Sequence, residues 1–327
     1  MNVDIVGGGA IGLLYGARLA EAGASVTVWT RSKEQALLLK EHGIRFISED
    51  GSQERIAAVH SEWIGNAGSF VPTYANGDRW VLLTVKQPAM TDELLTQLKA
   101  IVEGEGPPAP VVCLQNGIGH LDKVRSALVE SAIYAAVTSE GARRHDACTV
   151  QHTGSGELWF GKIDENESKD DKIHENKQKM LISRLQSAGI AVFLSNDMEN
   201  RIYNKLLINA VINPLTAMYN VRNGELPQCP IRYKLMQELY RESEQVLLAA
   251  GMKRQPDGWQ RVLDVCKLTS GNVSSMLGDV LAGRETEIAS INGGIVALSV
   301  KHGLQAPLNR AVAALIDSLH PRTNKEE

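Results

Sequence analysis

The sequence is poor in cysteine, and the cysteines that it has are far apart. The four residues are Cys113, Cys148, Cys229 and Cys266, and no two of them form a C-x-x-C pair. Structural zinc sites and small disulfide frameworks both need closely spaced cysteines, so neither is indicated. We therefore expect reduced, packed thiols and no metal site.

An excess of positive charge and long apolar runs are also absent. The chain has 34 Lys and Arg residues against 38 Asp and Glu residues, which gives a formal net charge of −4. Nucleic acid is therefore not expected as a partner, because it is bound through a basic surface. No apolar run approaches the roughly 18 residues that a membrane-spanning helix needs, and the start of the sequence shows no leader pattern. We expect a cytoplasmic protein without a membrane partner.

The sequence begins with the pattern of a strand, a tight turn, a helix and a second strand. The strand Asn2–Val6 leads into G-G-G-A-I-G, and the strand Ser25–Thr30 completes the unit. In the G-x-G-x-x-G pattern, the three glycines allow a sharp turn, close approach of a pyrophosphate and tight helix packing. Amides at the helix N-terminus then hold the phosphates. The predicted dinucleotide-binding residues are Gly7, Gly8, Gly9, Ala10, Ile11 and Gly12.

Apolar runs predict more elements of a first domain. The strands are predicted at Trp80–Val85, Val111–Leu114, Ala132–Val137, Thr149–Gln151 and Leu158–Gly161, and a helix at Thr91–Val102. The charged stretch Asp164–Lys179 is interpreted as a solvated loop and the start of a helix. We expect a Rossmann-type, doubly wound α/β domain over residues 1–196.

Beyond Asn196 the strand signals fade and helical patterns dominate. The predicted helices are Glu199–Tyr219, Pro230–Ala250, Trp259–Leu268 and Glu285–Lys301. Pro214 lies inside the first of these helices and is expected to kink it. The expected fold class is therefore α/β, with the Rossmann-type sheet followed by an all-helical C-terminal domain over residues 197–327.

The end of the second strand carries no acidic residue. Enzymes that use NAD place Asp or Glu there for the ribose 2′-hydroxyl, whereas this chain has T-R-S-K. Arg31 can pair with a 2′-phosphate through two hydrogen bonds, and Lys86 is placed to add positive charge. Lys33 is interpreted as a solvated lysine or as a further phosphate contact. These residues favour NADP(H) over NAD.

Three residues of one predicted helix share a polar face. Lys205, Asn209 and Asn213 recur every four positions in an otherwise apolar stretch. A buried lysine without a partner is costly, so this face predicts either a polar cleft or a hydrogen-bond network.

Further polar positions occur in loops and near helix ends. Asn116 lies just past the end of a predicted strand, where open α/β sheets bind their ligands, and the alternative is an Asn-Gly turn without a ligand. Asn272 and Ser275 are spaced i, i+3 ahead of a predicted helix that contains Glu287. Without more information, these residues are interpreted as a helix cap and a surface carboxylate.

In their order along the chain, these motifs resemble the ketopantoate reductase family. The glycine turn is followed by N-G-I-G, A-R-R, K-L-L-I-N-A-V-I-N-P-L-T-A from Lys205, N-G-E-L, S-S-M-L and T-E-I-x-x-I-N-G. The resemblance spans nearly the whole chain. It implies NADPH-dependent reduction of ketopantoate to (R)-pantoate, on the way to pantothenate and coenzyme A, in a cleft between the two domains.

The same resemblance implies a role for each polar residue. Lys205 would be the general acid that protonates the alkoxide formed by hydride transfer to the C2 ketone, and Glu287 would position it. Asn116 would lie between nicotinamide and substrate. The residues implied to bind the 2-keto acid substrate are Asn116, Lys205, Asn209, Asn213, Asn272 and Ser275.

The chain departs from the family pattern in two places, and two alternative functions are considered. Tyr203 stands where Trp is common in the family, and the charged loop is longer than expected. One alternative is an NADP-dependent enzyme for another branched 2-keto or hydroxy acid, including the 3-hydroxyisobutyrate and 6-phosphogluconate types. Enzymes of those types are expected to have a G-G-H-like stretch before K-x-x-N. In this chain, Tyr203-Asn204 precedes Lys205 instead. The other is a protein that senses NADPH without catalysis. A monomer or a homodimer is expected.

Overall fold

A computed structural model of the chain describes residues 1–69, 78–104, 106–163 and 171–319, and for 171–174 the backbone only. These residues form two compact units. The first unit comprises Met1–Gln115 and His120–Met198, and the second comprises Asn116–Gly119 and the chain from Glu199 onward. The predicted boundary between residues 196 and 197 stays a prediction.

The first unit contains both strands and helices. Its described strands are β1 (Asn2–Val6), β2 (Ser25–Thr30), β3 (Ile44–Ile47), β4 (Glu54–Ala57), β5 (His60–Trp63), β6 (Arg79–Leu83), β7 (Val111–Cys113), β8 (Ile133–Thr138), β9 (Gly141–Arg144), β10 (Thr149–Gly154), β11 (Glu157–Gly161) and β12 (Ala191–Leu194). Its described helices are α1 (Ala10–Glu21), α2 (Lys33–His42), α3 (Asp92–Glu103), α4 (His120–Ala127) and α5 (Asp171–Ser187). Part of the charged stretch, residues 164–170, lies outside the described residues.

The described strands build two sheets. The larger has the order β12-β11-β8-β7-β6-β1-β2-β5, and every pair in it is parallel except β8 with β11. The smaller has the order β4-β3-β10-β9. Alternate residues of β6 face different apolar clusters. Trp80 and Leu82 belong to a cluster that also contains residues of α1 and α5. Val81 and Leu83 belong to a second cluster, which contains residues of α3 and α4. Both faces of the larger sheet are therefore covered, which confirms the predicted doubly wound architecture.

A buried carboxylate links three neighbouring strands of the larger sheet. Asp4 in β1 accepts hydrogen bonds from Trp29 Nε1 at 2.8 Å and from Arg79 Nε at 2.9 Å. Arg79 also donates to the carbonyl of Ile101. Because a buried charge is stable only when it is paired and hydrogen-bonded, these contacts favour the observed order of β2, β1 and β6.

The second unit is helical over its described residues, as predicted. Its helices are α6 (Met198–Tyr219), α7 (Pro230–Ala249), α8 (Gly258–Leu268), α9 (Ser275–Leu281), α10 (Asn292–Lys301) and α11 (Pro307–Leu319). Each helix contributes to one apolar core, for example through Leu215, Leu239, Val262, Leu277, Ile295 and Val312. Helix α6 continues through Pro214. None of the helices described in the structure is long and apolar enough to span a membrane.

The start of one helix differs from the prediction by more than one residue. Helix α10 begins at Asn292 and not at Glu285, so Glu287 lies in a turn before the helix. The amide of Gly293 reaches back to the carbonyl of Ile288, and the carbonyl of Ser290 accepts a hydrogen bond from Ile118 at 3.1 Å. These contacts replace the regular helical pattern in this stretch, which the periodicity of the sequence does not reveal.

Replacement of Arg79 by leucine is expected to destabilise the protein strongly. The substitution breaks the buried ion pair between Arg79 and Asp4, and loss of such a pair costs about 3–5 kcal/mol. Chemical unfolding followed by circular dichroism measures this loss. The matched control is Arg261→Leu, which removes an exposed ion pair with Asp257 and should cost under about 0.5 kcal/mol. Equal, small losses in both variants would contradict the assigned importance of the buried pair.

Candidate active site

The glycine turn connects β1 to α1 in the first unit. Gly7 has a φ of +119°, a conformation that side chains disfavour. A Cβ at Gly12 would lie 2.0 Å from the Gly7 carbonyl oxygen, so only glycine fits there. A Cβ at Gly9, in contrast, would meet no heavy atom within 4 Å. Protein packing therefore does not require glycine at position 9, and the open space in front of it suits a bound pyrophosphate.

The N-terminus of α1 is suited to bind an anion. Its N-cap, Gly9, has no side chain to cap the first amides, and the first turn carries no acidic residue. These amides and the positive end of the helix dipole are the groups that bind phosphate in dinucleotide folds. The residues of the turn therefore fit a dinucleotide cofactor.

Three side chains that sequence reasoning did not assign hold the glycine turn in place. The Gly8 carbonyl accepts hydrogen bonds from Gln35 Nε2 at 2.8 Å and from Arg144 Nη1 at 2.9 Å. Thr84, just after β6, donates to the Gly7 carbonyl at 2.8 Å. Of these three residues, only Arg144 belongs to a motif noted in the sequence, A-R-R.

The loop after β2 is basic and exposed. Arg31 and Lys33 are exposed on either side of Ser32, which caps α2. The indole of Trp63 supports both, because its Nε1 donates to the Arg31 carbonyl at 3.1 Å and Lys33 Nζ lies 4.3 Å from the ring centroid. Lys33 is thus exposed but packed against an aromatic ring, and Trp63 is a supporting residue that no sequence pattern indicates.

Lys86 is exposed and lies at the start of a short helical turn, Gln87–Ala89. The next residue, Gln87, has its Nε2 3.1 Å from Nδ1 of His120. Burial lowers the pKa of His120 to about 4, so the imidazole is neutral and its Nδ1 can accept this hydrogen bond. His120 therefore fixes the residue beside Lys86, a role without a sequence signal.

The second unit brings together three of the predicted residues. Glu287 is buried, and its Oε2 accepts a hydrogen bond from Asn116 Nδ2 at 3.0 Å. Burial lowers the pKa of Lys205 to about 8, and the Glu287 carboxylate opposes this shift. Asn116, Lys205 and Glu287 therefore form a cluster of one amide, one ammonium and one carboxylate.

The segment Asn116–Gly119 is fixed on the turn that carries Glu287. The amide of Ile118 donates to the Ser290 carbonyl at 3.1 Å, and a Cβ at Gly117 would lie 2.4 Å from the same oxygen. Gly117 also has a φ of +78°. The Asn-Gly pair therefore makes a turn and also delivers Asn116 to the carboxylate.

The other predicted substrate residues lie on α6 and in the loop before α9. Asn209 is half-buried and Asn213 buried, one and two turns after Lys205. Asn272 and Ser275 are exposed. The cap of α9 is Ser274, whose Oγ accepts a hydrogen bond from Leu277, so the interpretation of Asn272 or Ser275 as the cap is wrong.

The N-G-E-L motif holds the loop that presents Asn272 and Ser275. The amide of Asn223 donates to the Asn272 carbonyl at 3.1 Å, and its Nδ2 donates to Thr269 Oγ1 at 2.8 Å. A Cβ at Gly224 would lie 2.6 Å from the side chain of Ser270. The motif therefore fixes the conformation of this loop. The sequence alone did not indicate this role.

The arrangement in the second unit is suited to proton transfer. An ammonium with a pKa near neutrality can donate a proton to an oxygen that gains negative charge, and its charge stabilises that oxygen before the transfer. The described residues include no group of His, Cys, Asp and Glu that could hold a metal ion. All four cysteines are free.

The Rossmann-type unit with its glycine turn and the helical unit with its lysine and carboxylate together define an oxidoreductase. Residues 3–165 match the family model "Ketopantoate reductase PanE/ApbA", and residues 197–320 match "Ketopantoate reductase PanE/ApbA C terminal". The chain belongs to the ketopantoate reductase family.

Individual relatives cover the whole length of the chain. The 2-dehydropantoate 2-reductase of Bacillus subtilis is 30% identical over 325 residues, which are 99% of each protein. A PanE/ApbA family ketopantoate reductase from Ralstonia eutropha superposes with a TM-score of 0.82 at 26% identity, covering 98% of both chains. A D-mandelate dehydrogenase solved with NADH and anilino(oxo)acetate has a TM-score of 0.84 over 98% of both chains at 23% identity, and shares the fold.

Replacement of Glu287 by glutamine is expected to lower the pKa of Lys205 below 8, because the carboxylate that favours the ammonium is removed. NMR titration of protein labelled with 13Cε-lysine measures the pKa, and Lys205→Arg identifies the resonance. The control is Glu285→Gln, an exposed carboxylate two positions away, which should leave the titration unchanged. An unchanged or raised pKa in Glu287→Gln would disprove the electrostatic pairing.

Proposed function

We propose that this chain reduces ketopantoate (2-dehydropantoate) to (R)-pantoate with NADPH, in the synthesis of pantothenate and coenzyme A. The observation that carries the proposal is the cluster of Asn116, Lys205 and Glu287 in a chain whose relatives are named 2-dehydropantoate 2-reductase. A cytoplasmic location and a monomeric or homodimeric state stay predictions from the sequence.

The glycine turn would hold the cofactor through its pyrophosphate. The space in front of Gly9 and the uncapped amides at the start of α1 support this assignment for residues 7–12. Bound NADPH supplies the hydride for the C2 carbonyl carbon. Gln35 and Arg144 would keep the Gly8 peptide in one orientation, so that the neighbouring amides stay directed to the phosphates.

Selectivity for NADPH would come from the loop after β2. Arg31 is exposed there, and the indole of Trp63 holds its backbone carbonyl. A guanidinium pairs with a phosphate through two hydrogen bonds, and no carboxylate in T-R-S-K repels it. A protein of the same fold was solved with NADH, so the preference must arise from such residues and not from the architecture. Lys86 is proposed as an additional cofactor contact.

Lys205 would donate the proton that completes the reduction. The hydride adds to the carbonyl carbon, the electron pair of the C=O bond moves to oxygen, and Nζ of Lys205 gives this oxygen its proton. With a pKa of about 8, the amine is mostly protonated at neutral pH and yields its proton more readily than an ordinary lysine. Glu287 would keep the ammonium charged and in position.

The amide and hydroxyl side chains of the second unit would bind the rest of the substrate. Ketopantoate carries a carboxylate and a hydroxyl besides its ketone, and neutral hydrogen-bonding groups can recognise both. The proposed residues are Asn116, Asn209, Asn213, Asn272 and Ser275. Exposure of Asn272 and Ser275 is consistent with a contact to a ligand, because both lie on the surface of the unit.

A second candidate is reduction of a different 2-keto acid. The D-mandelate dehydrogenase that shares this fold was solved with an oxoacetate compound, so the architecture accepts more than one acid. A sensor of NADPH without catalysis has less support, because it would not need a buried carboxylate beside a lysine of lowered pKa.

With ketopantoate as the substrate, the protein is expected to oxidise NADPH far faster than NADH. Loss of an arginine–phosphate contact should weaken NADPH binding in Arg31→Ala by about 10–150-fold and leave NADH binding nearly unchanged. Cofactor titration by fluorescence and steady-state kinetics measure both effects. Lys40→Ala, an exposed lysine of α2, is the control and should behave as the unchanged protein.

Two outcomes of these assays would contradict the proposal. Equal use of NADPH and NADH by the unchanged protein would contradict the cofactor assignment. A panel of branched and aromatic 2-keto acids tests the substrate, and a higher kcat/KM for any of them than for ketopantoate would favour the second candidate.

Lys205→Ala is expected to lower kcat by at least about 100-fold, the lower range of general acid catalysis, while NADPH binding stays nearly intact. In the unchanged protein, ketone reduction should decline as pH rises through about 8, because the ammonium loses its proton. Lys234→Ala, an exposed lysine of α7, should keep full activity. If Lys205→Ala retains more than about a tenth of kcat, another group is the acid.

A further inference from the structure

Helix α6 contains a proline in its interior, and this proline leaves one carbonyl without its helical donor. Pro214 has no N–H, so the carbonyl four positions earlier, that of Ala210, receives no backbone hydrogen bond from it. Ala210 is completely buried, so water does not replace the missing donor. The carbonyl lies on the helix that carries Lys205, Asn209 and Asn213.

A side chain from another helix supplies the missing hydrogen bond. Asn292, the first residue of α10, donates from Nδ2 to the Ala210 carbonyl at 3.0 Å. The same Nδ2 donates to Oδ1 of Asn309 at 2.9 Å. Asn292 has 0% exposure, and its Oδ1 has no partner among the described residues. The amide therefore serves as a donor.

The orientation of this amide is fixed by a chain of hydrogen bonds that starts at a carboxylate. Glu242 on α7 accepts hydrogen bonds from the backbone amides of Leu308 and Asn309 and from Asn309 Nδ2. A carboxylate can only accept, so Asn309 must direct its NH2 group to Glu242 and its Oδ1 to Asn292. Asn292 must then present its own NH2 group, and the Ala210 carbonyl receives it.

We propose that Asn292 is a positioning residue for the reaction, which holds the proline-interrupted turn of α6 and so directs the polar face of that helix. The inference rests on the proposed function, in which Lys205 and Asn209 act on the substrate. A proline ring pushes against the carbonyl four positions earlier, so the direction of this turn depends on what holds that carbonyl. Asn292 is fully buried, so it would act through α6 and not through contact with the substrate.

A double-variant cycle with Pro214 tests the proposal. In Pro214→Ala, the new N–H at position 214 can bond the Ala210 carbonyl, so the Asn292 donor becomes redundant. Asn292→Leu alone should lower kcat/KM for ketopantoate by about tenfold, with the KM for NADPH unchanged within about twofold. In Asn292→Leu with Pro214→Ala, kcat/KM should return to within about threefold of that of Pro214→Ala.

A second readout does not depend on activity. Amide hydrogen exchange of residues 205–217, measured by mass spectrometry, should speed up in Asn292→Leu and return toward normal in the double variant. The control is Ser299→Ala, a buried polar residue of the same helix whose hydroxyl donates only to Val296 among the described contacts. It should leave both the exchange of α6 and kcat/KM unchanged. Asn292→Ala, a smaller change, replaces Asn292→Leu in the cycle if the leucine variant does not fold.

The outcomes separate this inference from the proposed function. An unchanged kcat/KM in Asn292→Leu, or a loss that persists with Pro214→Ala, overturns the positioning role. If exchange is restored in the double variant but kcat/KM is not, the role is also overturned. Failure of the proposed function appears instead in Lys205→Ala and in the panel of 2-keto acids. The cycle is then run with the best substrate of the panel, and if none is reduced, the positioning role falls with the function.

Discussion

A buried carboxylate must be balanced by charge or by hydrogen-bond donors, and in the helical unit Glu287 imposes this requirement. Asn116 Nδ2 donates a hydrogen bond to Glu287 Oε2 at 3.0 Å, and Lys205 supplies a positive charge. Burial and the carboxylate act on the lysine in opposite directions, and the pKa of about 8 is their balance. The charge state of Lys205 and the position of the Asn116 side chain therefore both depend on their interaction with Glu287.

Much of the fold could be predicted from the sequence, because the central strands are continuous apolar runs and the glycine turn has a fixed spacing. The second sheet could not. Strands β3, β4 and β9 are only four residues long. Strands β4 and β9 lack an apolar pattern, and in β3 the alternation of Ile44, Arg45 and Phe46 is too short to predict a strand. The start of α10 was misplaced for a different reason. The Ser290 carbonyl, just before the helix, accepts a hydrogen bond from Ile118, a residue far away in the sequence.

The polar residues of the candidate site could be selected from spacing, from their place at strand ends and from the resemblance. The hydrogen bond between Asn116 and Glu287 could not be predicted, since these residues are 171 positions apart. The supporting residues Gln35 and Trp63 were missed because each acts by donating a hydrogen bond to a backbone carbonyl. Almost any polar side chain can do so, and no residue type or spacing marks the role.

The place of Asn116–Gly119 in the helical unit has a consequence for how these proteins can be recombined. A single crossover ahead of α6 would transfer the helices of one family member to another but leave these four residues behind. The turn around Ser290 would then meet a foreign segment, although Gly117 fits there with little tolerance and Ile118 packs beside Gly294. Functional chimaeras should therefore require two exchanged stretches, and substitutions in one of them should favour matching changes in the other during evolution.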